Sequence, residues 1–254
     1  MPALTWYERA RMDQLVLLCA LLFGAAFLYA AVGHAGASGY LAAMGIMGVD
    51  PQVMKPIALV LNILVASITA FRFHRAGYFS WRTLWPFLIG SIPFSFLGGA
   101  IQLPARFYRP LVGLVLLFAA FRLVRYKDPA PESIHQPPVL IAALCGAGLG
   151  LLSGLTGTGG GIFLSPLILL AGWAETRTTA GIAATFILCN SVAGLAGNLA
   201  SVSRLPAELP YYVGAAVAGG LLGAYFGSTR FSVVTFRKLL ALVLVVAAFK
   251  LIFF

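Results

Sequence analysis

The segment Leu155-Thr-Gly-Thr-Gly-Gly-Gly161 packs four glycines and two threonines into seven residues at the end of an apolar run. Glycine is the poorest helix former after proline, so the run breaks a helix rather than continuing it. Irregular backbone at membrane depth is tolerated only where it is buried in protein or lines a water-filled cavity. A short apolar piece, 162–172, follows directly. A helix starting there points its free N–H groups and positive dipole end back at the break. Gly157, Gly159, Gly160 and Gly161 let an anion approach the backbone, and Thr156 and Thr158 offer hydroxyl donors. The same composition also suits close helix packing. Packing is the expected role of the Gly146/Gly150 and Gly219/Gly223 spacings.

A matching stretch, Gly33-His-Ala-Gly-Ala-Ser-Gly39, lies about 124 residues earlier and precedes another short apolar piece, 40–48. Gly33, Gly36, His34 and Ser38 are its candidate site residues. His34 is the one ionisable side chain expected near the middle of the membrane. It can donate to an anion or carry a proton, or rest neutral against a neighbouring carbonyl. Asn62 and Asn190 sit inside apolar spans, and Ser191 follows Asn190. A buried amide needs partners, which substrate or a neighbouring helix can supply.

What is missing narrows the chemistry. The acidic residues Glu8, Asp13, Asp50, Asp128, Glu132, Glu175 and Glu208 all fall in loops or at span ends. Cation transporters and carboxylate proton relays usually place an acid within the membrane. A cavity of backbone, hydroxyl, amide and imidazole donors suits a small anionic substrate. No phosphate-binding Gly-x-x-x-x-Gly-Lys-[Ser/Thr] loop and no metal-ligand spacing appears, so no cofactor is expected. No nucleophile–base set stands out, and the chain is not expected to be an enzyme. Cys19, Cys145 and Cys189 lie in apolar runs and read as small buried residues.

The elements that must position these residues follow from composition. Hydrophobic residues make up 61% of the chain and charged residues 9%, against about 25% charged in soluble domains. The predicted fold class is an all-α polytopic membrane protein whose partner is the lipid bilayer. Candidate spans run over 15–32, 54–73, 84–101, 109–125, 138–155, 178–200, 209–227 and 234–254. The start of the chain, mixing both charges over Glu8–Asp13, does not read as a cleaved signal peptide. A net charge of +10 would suggest nucleic acid in a soluble protein. Here the basic residues flank apolar spans, and headgroups and orientation account for them, with no nucleic acid implied.

The span list reads as two homologous halves of about four spans each, with a discontinuous Gly-rich segment in each half. Arg109–Leu123 and Arg237–Leu251 agree at nine of fifteen positions. The division is 1–125 for the first repeat, 126–137 for a cytoplasmic linker and 138–254 for the second repeat. Repeated halves are a common construction of secondary transporters, with the site at their interface. If each short piece completes the crossing before it, the halves have four crossings and are parallel; if it crosses alone, they have five and are inverted. Both versions place Arg72, Arg75 and Arg82, and the linker with Arg122, Arg125 and Lys127, in the cytoplasm.

These residues resemble a known family. Gly157-x-Gly-Gly-Gly161 with Pro166 five residues on is similar to the pattern of the TauE/SafE sulfite exporter family. Arg75-Ala-Gly-Tyr-Phe-Ser-Trp81-Arg, followed by Gly90-Ser-Ile-Pro-x-x-x-x-Gly98, resembles the segment between that family's second and third spans. The likeness runs from about Leu15 to the C-terminus. The first Gly-rich stretch departs from the pattern, with His34, Ala35 and Ala37 where the family usually has more glycine. The resemblance implies a bacterial plasma-membrane transporter of sulfur-containing anions such as sulfite or organosulfonates, with carboxylates carried by some members. Export is the expected direction, and the coupling ion, a proton or a sodium ion, is left open by the resemblance. An anion channel is the alternative the same donor-rich segment allows.

Overall fold

A computed structural model describes residues 6–125, 134–227 and 234–253. The predicted linker residues 126–133, with Lys127, Asp128 and Glu132, lie outside the described residues. The elements are α1 (Trp6–Ala31), α2 (Ala37–Ile46), α3 (Pro51–Arg75), α4 (Trp81–Ala100), α5 (Ala105–Arg125), α6 (Val139–Thr156), α7 (Gly161–Leu170), α8 (Thr176–Gly197), a 3-10 turn (Leu199–Arg204), α9 (Leu209–Gly227) and α10 (Val234–Phe253). There is no strand among the described residues.

Among the described residues, six helices are long and apolar enough to cross a membrane: α1 from Met12, α3, α4, α6, α8 and α9. The sequence predicted eight full-length spans. The remaining two predicted spans fall on α10 and on α5, which carries Arg106 and Arg109 near its start and Arg122 and Arg125 near its end. The α10 helix pairs with α5. The two short pieces are separate ten-residue helices, α2 and α7. At 1.5 Å per residue each is about 15 Å long, half the hydrocarbon thickness.

Local chemistry sets the boundaries. Asp50 caps α3, its carboxylate accepting from the Gln52 amide at 2.9 Å, and Pro51 supplies the preset first turn. Ser80 caps α4 by accepting from the Thr83 amide. The α2 and α7 helices begin differently. Gly36 (φ 108°) and Gly160 (φ 76°) precede them in the left-handed region, and neither helix has a side-chain cap.

In lipid, burying Leu61 or Phe87 gains little by itself, so close backbone contact must hold the helices together. The glycine spacings do this. Cβ atoms placed at Gly146, Gly150 and Gly154 would stand 2.2, 2.2 and 2.1 Å from the carbonyl oxygens of Phe87, Ser91 and Ser95. That row is the seam between α6 and α4. At Gly219 and Gly223 the same atoms would meet the oxygens of Phe23 and Phe27, the seam between α9 and α1. The α3 and α8 helices pack on each other, α4 also lies on α8, and α3 on α9. The outer faces are apolar, with Leu140 71% and Leu144 66% exposed, as a lipid-facing surface requires. Cys19, Cys145 and Cys189 are half-buried rather than enclosed.

Candidate functional site

The break between α6 and α7 is built from three left-handed glycines, Gly157 (φ 82°), Gly159 (φ 75°) and Gly160 (φ 76°). Residues Thr156–Gly161 are all buried. Its carbonyl side is tied down by the other half of the chain. The Tyr108 hydroxyl on α5 donates to Thr156 O at 3.1 Å, and Asn62 Nδ2 on α3 donates to Gly157 O at 3.2 Å. Its hydroxyls are engaged within the segment. Thr156 Oγ1 donates to Leu152 O at 2.6 Å, and Thr158, 2.9 Å away, donates in turn to Thr156 Oγ1. The threonines therefore hold the segment's shape, and their protons are not offered outward in this arrangement.

The amides are the opposite case. No hydrogen bond joins the N–H groups of Gly159, Gly160, Gly161 and Ile162 to another described residue. The first bonded amides are those of Phe163 and Leu164, both to Gly160 O. A buried N–H without a partner is costly, so such a group calls for water or a ligand. Two buried side chains beside the break also carry open polar atoms: Asn62 Oδ1 and Ser153 Oγ, each residue fully buried. Asn62 cannot turn its oxygen toward Gly157 O, because only its nitrogen can face a carbonyl. A Cβ placed at Gly159 would stand 3.3 Å from Asn62 Nδ2, and one at Gly160 would stand 3.5 Å from Ser153 Cβ, which locates both residues at the break.

The first Gly-rich stretch reaches the same region. His34 Nε2 lies 3.3 Å from Gly161 O and 3.0 Å from Ser165 Oγ on α7. Gly33 presses on Ala180 of α8, where a Cβ would come within 2.2 Å of the Ala180 Cβ. Ser38 and Tyr29 share a hydrogen bond of 2.5 Å, and Tyr40 donates to Ala35 O beneath Gly36. The amides of Ala35 to Gly39 likewise have no hydrogen bond to another described residue.

Of the predicted residues, His34, Asn62 and Thr156–Gly161 thus meet, while Gly33 packs on Ala180 of α8. Gly36 faces Tyr40 of α2, which it precedes, and Ser38 bonds Tyr29 of α1. Asn190 donates to Phe186 O in its own helix at 2.8 Å, and its backbone oxygen accepts from Ser95. Asn190 Oδ1 and Ser191 Oγ are buried without a hydrogen-bond partner among the described residues.

Sequence reasoning missed Lys55, Tyr108, Ser153 and Ser165. Lys55 is 6% exposed. Its ammonium donates to Gly99 O at 3.0 Å and Ile101 O at 2.9 Å, closing the C-terminal end of α4. Its Cα and Cγ would lie 3.3 Å from a Cβ at Gly157. A lysine one turn into a span after Pro51 looks like a membrane-edge residue by position alone.

The family model described as Sulfite exporter TauE/SafE matches residues 17–251. A relative from Sinorhizobium fredii (strain NBRC 101917 / NGR234), described as "Probable membrane transporter protein y4hK", is 43% identical over 239 residues, covering 92% of this chain and 97% of its own length. No solved structure matches.

Proposed function

The chain belongs to the TauE/SafE family of membrane transporters, and from that premise we propose a secondary transporter that exports a small sulfur-containing anion such as sulfite or an organosulfonate. The setting is the plasma membrane of a bacterium. The mechanism is alternating access at a site between two repeats, 1–125 and 138–254, joined by a cytoplasmic linker over 126–137.

The observation that carries this reading is the asymmetry at Thr156–Gly161. The carbonyls of Thr156 and Gly157 are capped by Tyr108 and Asn62, while the amides of Gly159 to Ile162 have no partner among the described residues. Open amides beside the capped carbonyls of Thr156 and Gly157 favour negative charge, and the α7 dipole adds to it. The open Asn62 Oδ1 beside those donors favours an anion that brings its own O–H or N–H, as hydrogen sulfite or an aminosulfonate does.

The repeat reading draws support from pairing. Counting five helices in each half, α1 corresponds to α6 and α4 to α9. The observed pairs α1–α9 and α4–α6 are the same contact with the halves exchanged. The self-pairs α3–α8 and α5–α10 fit the same exchange. A site at the junction of α2, α7 and the two central helices is where one half can rock against the other.

The test is flux. Protein reconstituted in liposomes should release trapped sulfite or taurine saturably, above empty liposomes, and Asn62→Asp should lose that release. Wild-type flux equal to that of empty liposomes for every sulfur anion tried would remove the substrate assignment.

A further inference from the structure

We propose that His34 is a proton-binding site coupled to the anion, so that the transported anion and one proton are bound together. The inference rests on the anion site described above and adds its co-substrate.

Both ring nitrogens of His34 face oxygen. Nδ1 lies 3.2 Å from Val32 O, and Nε2 lies 3.3 Å from Gly161 O and 3.0 Å from Ser165 Oγ. A neutral imidazole carries one N–H and cannot serve both sides. With the proton on Nδ1, Val32 O is satisfied, Nε2 accepts from the Ser165 hydroxyl, and Gly161 O receives nothing from the ring. With the proton on Nε2, the Nδ1 lone pair faces Val32 O. The imidazolium donates on both sides, to Val32 O and to Gly161 O, with Ser165 Oγ turned to accept. The pocket is therefore shaped for both charge states, and the Ser165 hydroxyl is the part that reverses between them.

Charge decides which state is held. His34 stands beside Gly161, the first residue of α7, and three residues before Ala37, the first of α2. Both helix N-termini carry positive partial charge, which opposes an imidazolium at this place. Tyr29 on α1 packs edge-on to the ring at 6.4 Å, and Tyr40 on α2 is bonded to Ala35 O. On α3 the nearest cation to the break is Lys55, directed at Gly99 O and Ile101 O. On α8, one turn before the Ala180 contact, Arg177 donates to the Tyr78 hydroxyl at 2.6 Å. An anion at the open amides of α7 cancels the opposing field and favours the imidazolium. By linkage the proton then tightens the anion to the same degree. Carried with a proton, the anion is drawn inward by an inward proton gradient, and export requires an outward anion gradient that exceeds it.

The experiment measures binding of thiosulfate, whose charge is constant from about pH 5.5 to 7.5, across the range where histidine titrates. Full-length protein in detergent should bind it more tightly as pH falls, by up to about tenfold per pH unit. His34→Gln keeps a donor at this position without titrating, and its affinity should be flat with pH. Histidine nitrogen NMR of the wild type, with His34 assigned by its absence in the variant, gives a second readout. The His34 titration midpoint should rise when thiosulfate is added. If His34→Gln fails to fold, the wild-type spectrum alone decides through the ring assigned by its Tyr29 contacts. A pH dependence that survives His34→Gln, or a midpoint that thiosulfate leaves unmoved while it binds, overturns the proton site and spares the anion site. Absence of thiosulfate binding at every pH removes the linkage at its root, because the anion site itself then fails for this probe.

Discussion

The side-chain nitrogen of Asn62 donates to the carbonyl oxygen of Gly157 at 3.2 Å, across ninety-five residues of chain. One bond thereby ties the middle of α3 to the first left-handed residue of the break before α7. It fixes the amide's orientation as well, since the nitrogen must face the carbonyl and the oxygen is left facing elsewhere. The carbonyl of a residue that ends a helix is normally open. Capping it from another helix leaves the break as a donor surface.

Removing that tie should cost both stability and transport. Asn62→Ala leaves Gly157 O buried and unsatisfied, a penalty of about 1–3 kcal/mol. Thermal unfolding in detergent should show a lowered Tm. Asn62→Asp is the sharper variant. It keeps the volume but turns a carboxylate oxygen toward a carbonyl and places negative charge at the proposed anion site. Transport should fall more in Asn62→Asp than in Asn62→Ala, and equal activity in the two would argue against negative charge being transported there.

The Tyr108 hydroxyl offers a milder probe of the same surface. Tyr108→Phe deletes only the bond to Thr156 O and should cost about 1 kcal/mol in stability. If the tie serves to shape the break, the apparent KM for the anion should rise while the maximal rate changes less. A change in rate alone would place Tyr108 in the moving part of the cycle instead.

How much of this was legible beforehand varies with the physics involved. Helix positions followed from apolar run length, and the separate short helices α2 and α7 lie close to the two pieces flagged as too short to cross. The packing role of Gly146, Gly150, Gly219 and Gly223 was readable because spacing alone puts them on one helix face. The break at Gly157–Gly160 was readable because only glycine takes three positive φ values at little cost. Partners across the chain were not readable. Nothing local to Lys55 says that it reaches Gly99 O, and nothing local to Tyr108 points to Thr156. Thr156 and Thr158 show the converse. Their type suggested donors to a ligand, and their spacing of two let them bond each other.

Lys55 carries a prediction of its own. Its ammonium is the cap of the α4 C-terminus, bonded to Gly99 O and Ile101 O. Lys55→Met keeps the packing of the stem and removes the charge-assisted donors, leaving two carbonyls short of partners. A loss of about 1–3 kcal/mol is expected from those bonds. Lys55→Arg should recover part of it, since guanidinium retains charge and donors but fits the two oxygens differently. Thermal unfolding of the three proteins distinguishes a capping role from simple burial. If Lys55→Met is as stable as wild type, the cap contributes nothing.

Two glycines on α6, two positions apart, give the most controlled comparison. Gly150 faces α4, where a Cβ would stand 2.2 Å from Ser91 O and 2.6 Å from Ser91 Cα. Gly148 points away, with nothing within 4 Å of the same atom. Both are helix-interior positions, so alanine should gain up to about 1 kcal/mol of helix propensity at each. At Gly150 that gain is overwhelmed, because the obstacle is backbone rather than the end of a flexible side chain, and α4 and α6 must separate along the whole seam. Gly150→Ala should therefore lower Tm markedly and reduce the yield of folded protein, while Gly148→Ala should leave Tm unchanged or raise it. Because Gly148→Ala makes the same chemical change in the same helix, a drop in both would point to the helix itself, and a drop in neither would mean that α4 and α6 are not seated on each other along Gly146, Gly150 and Gly154.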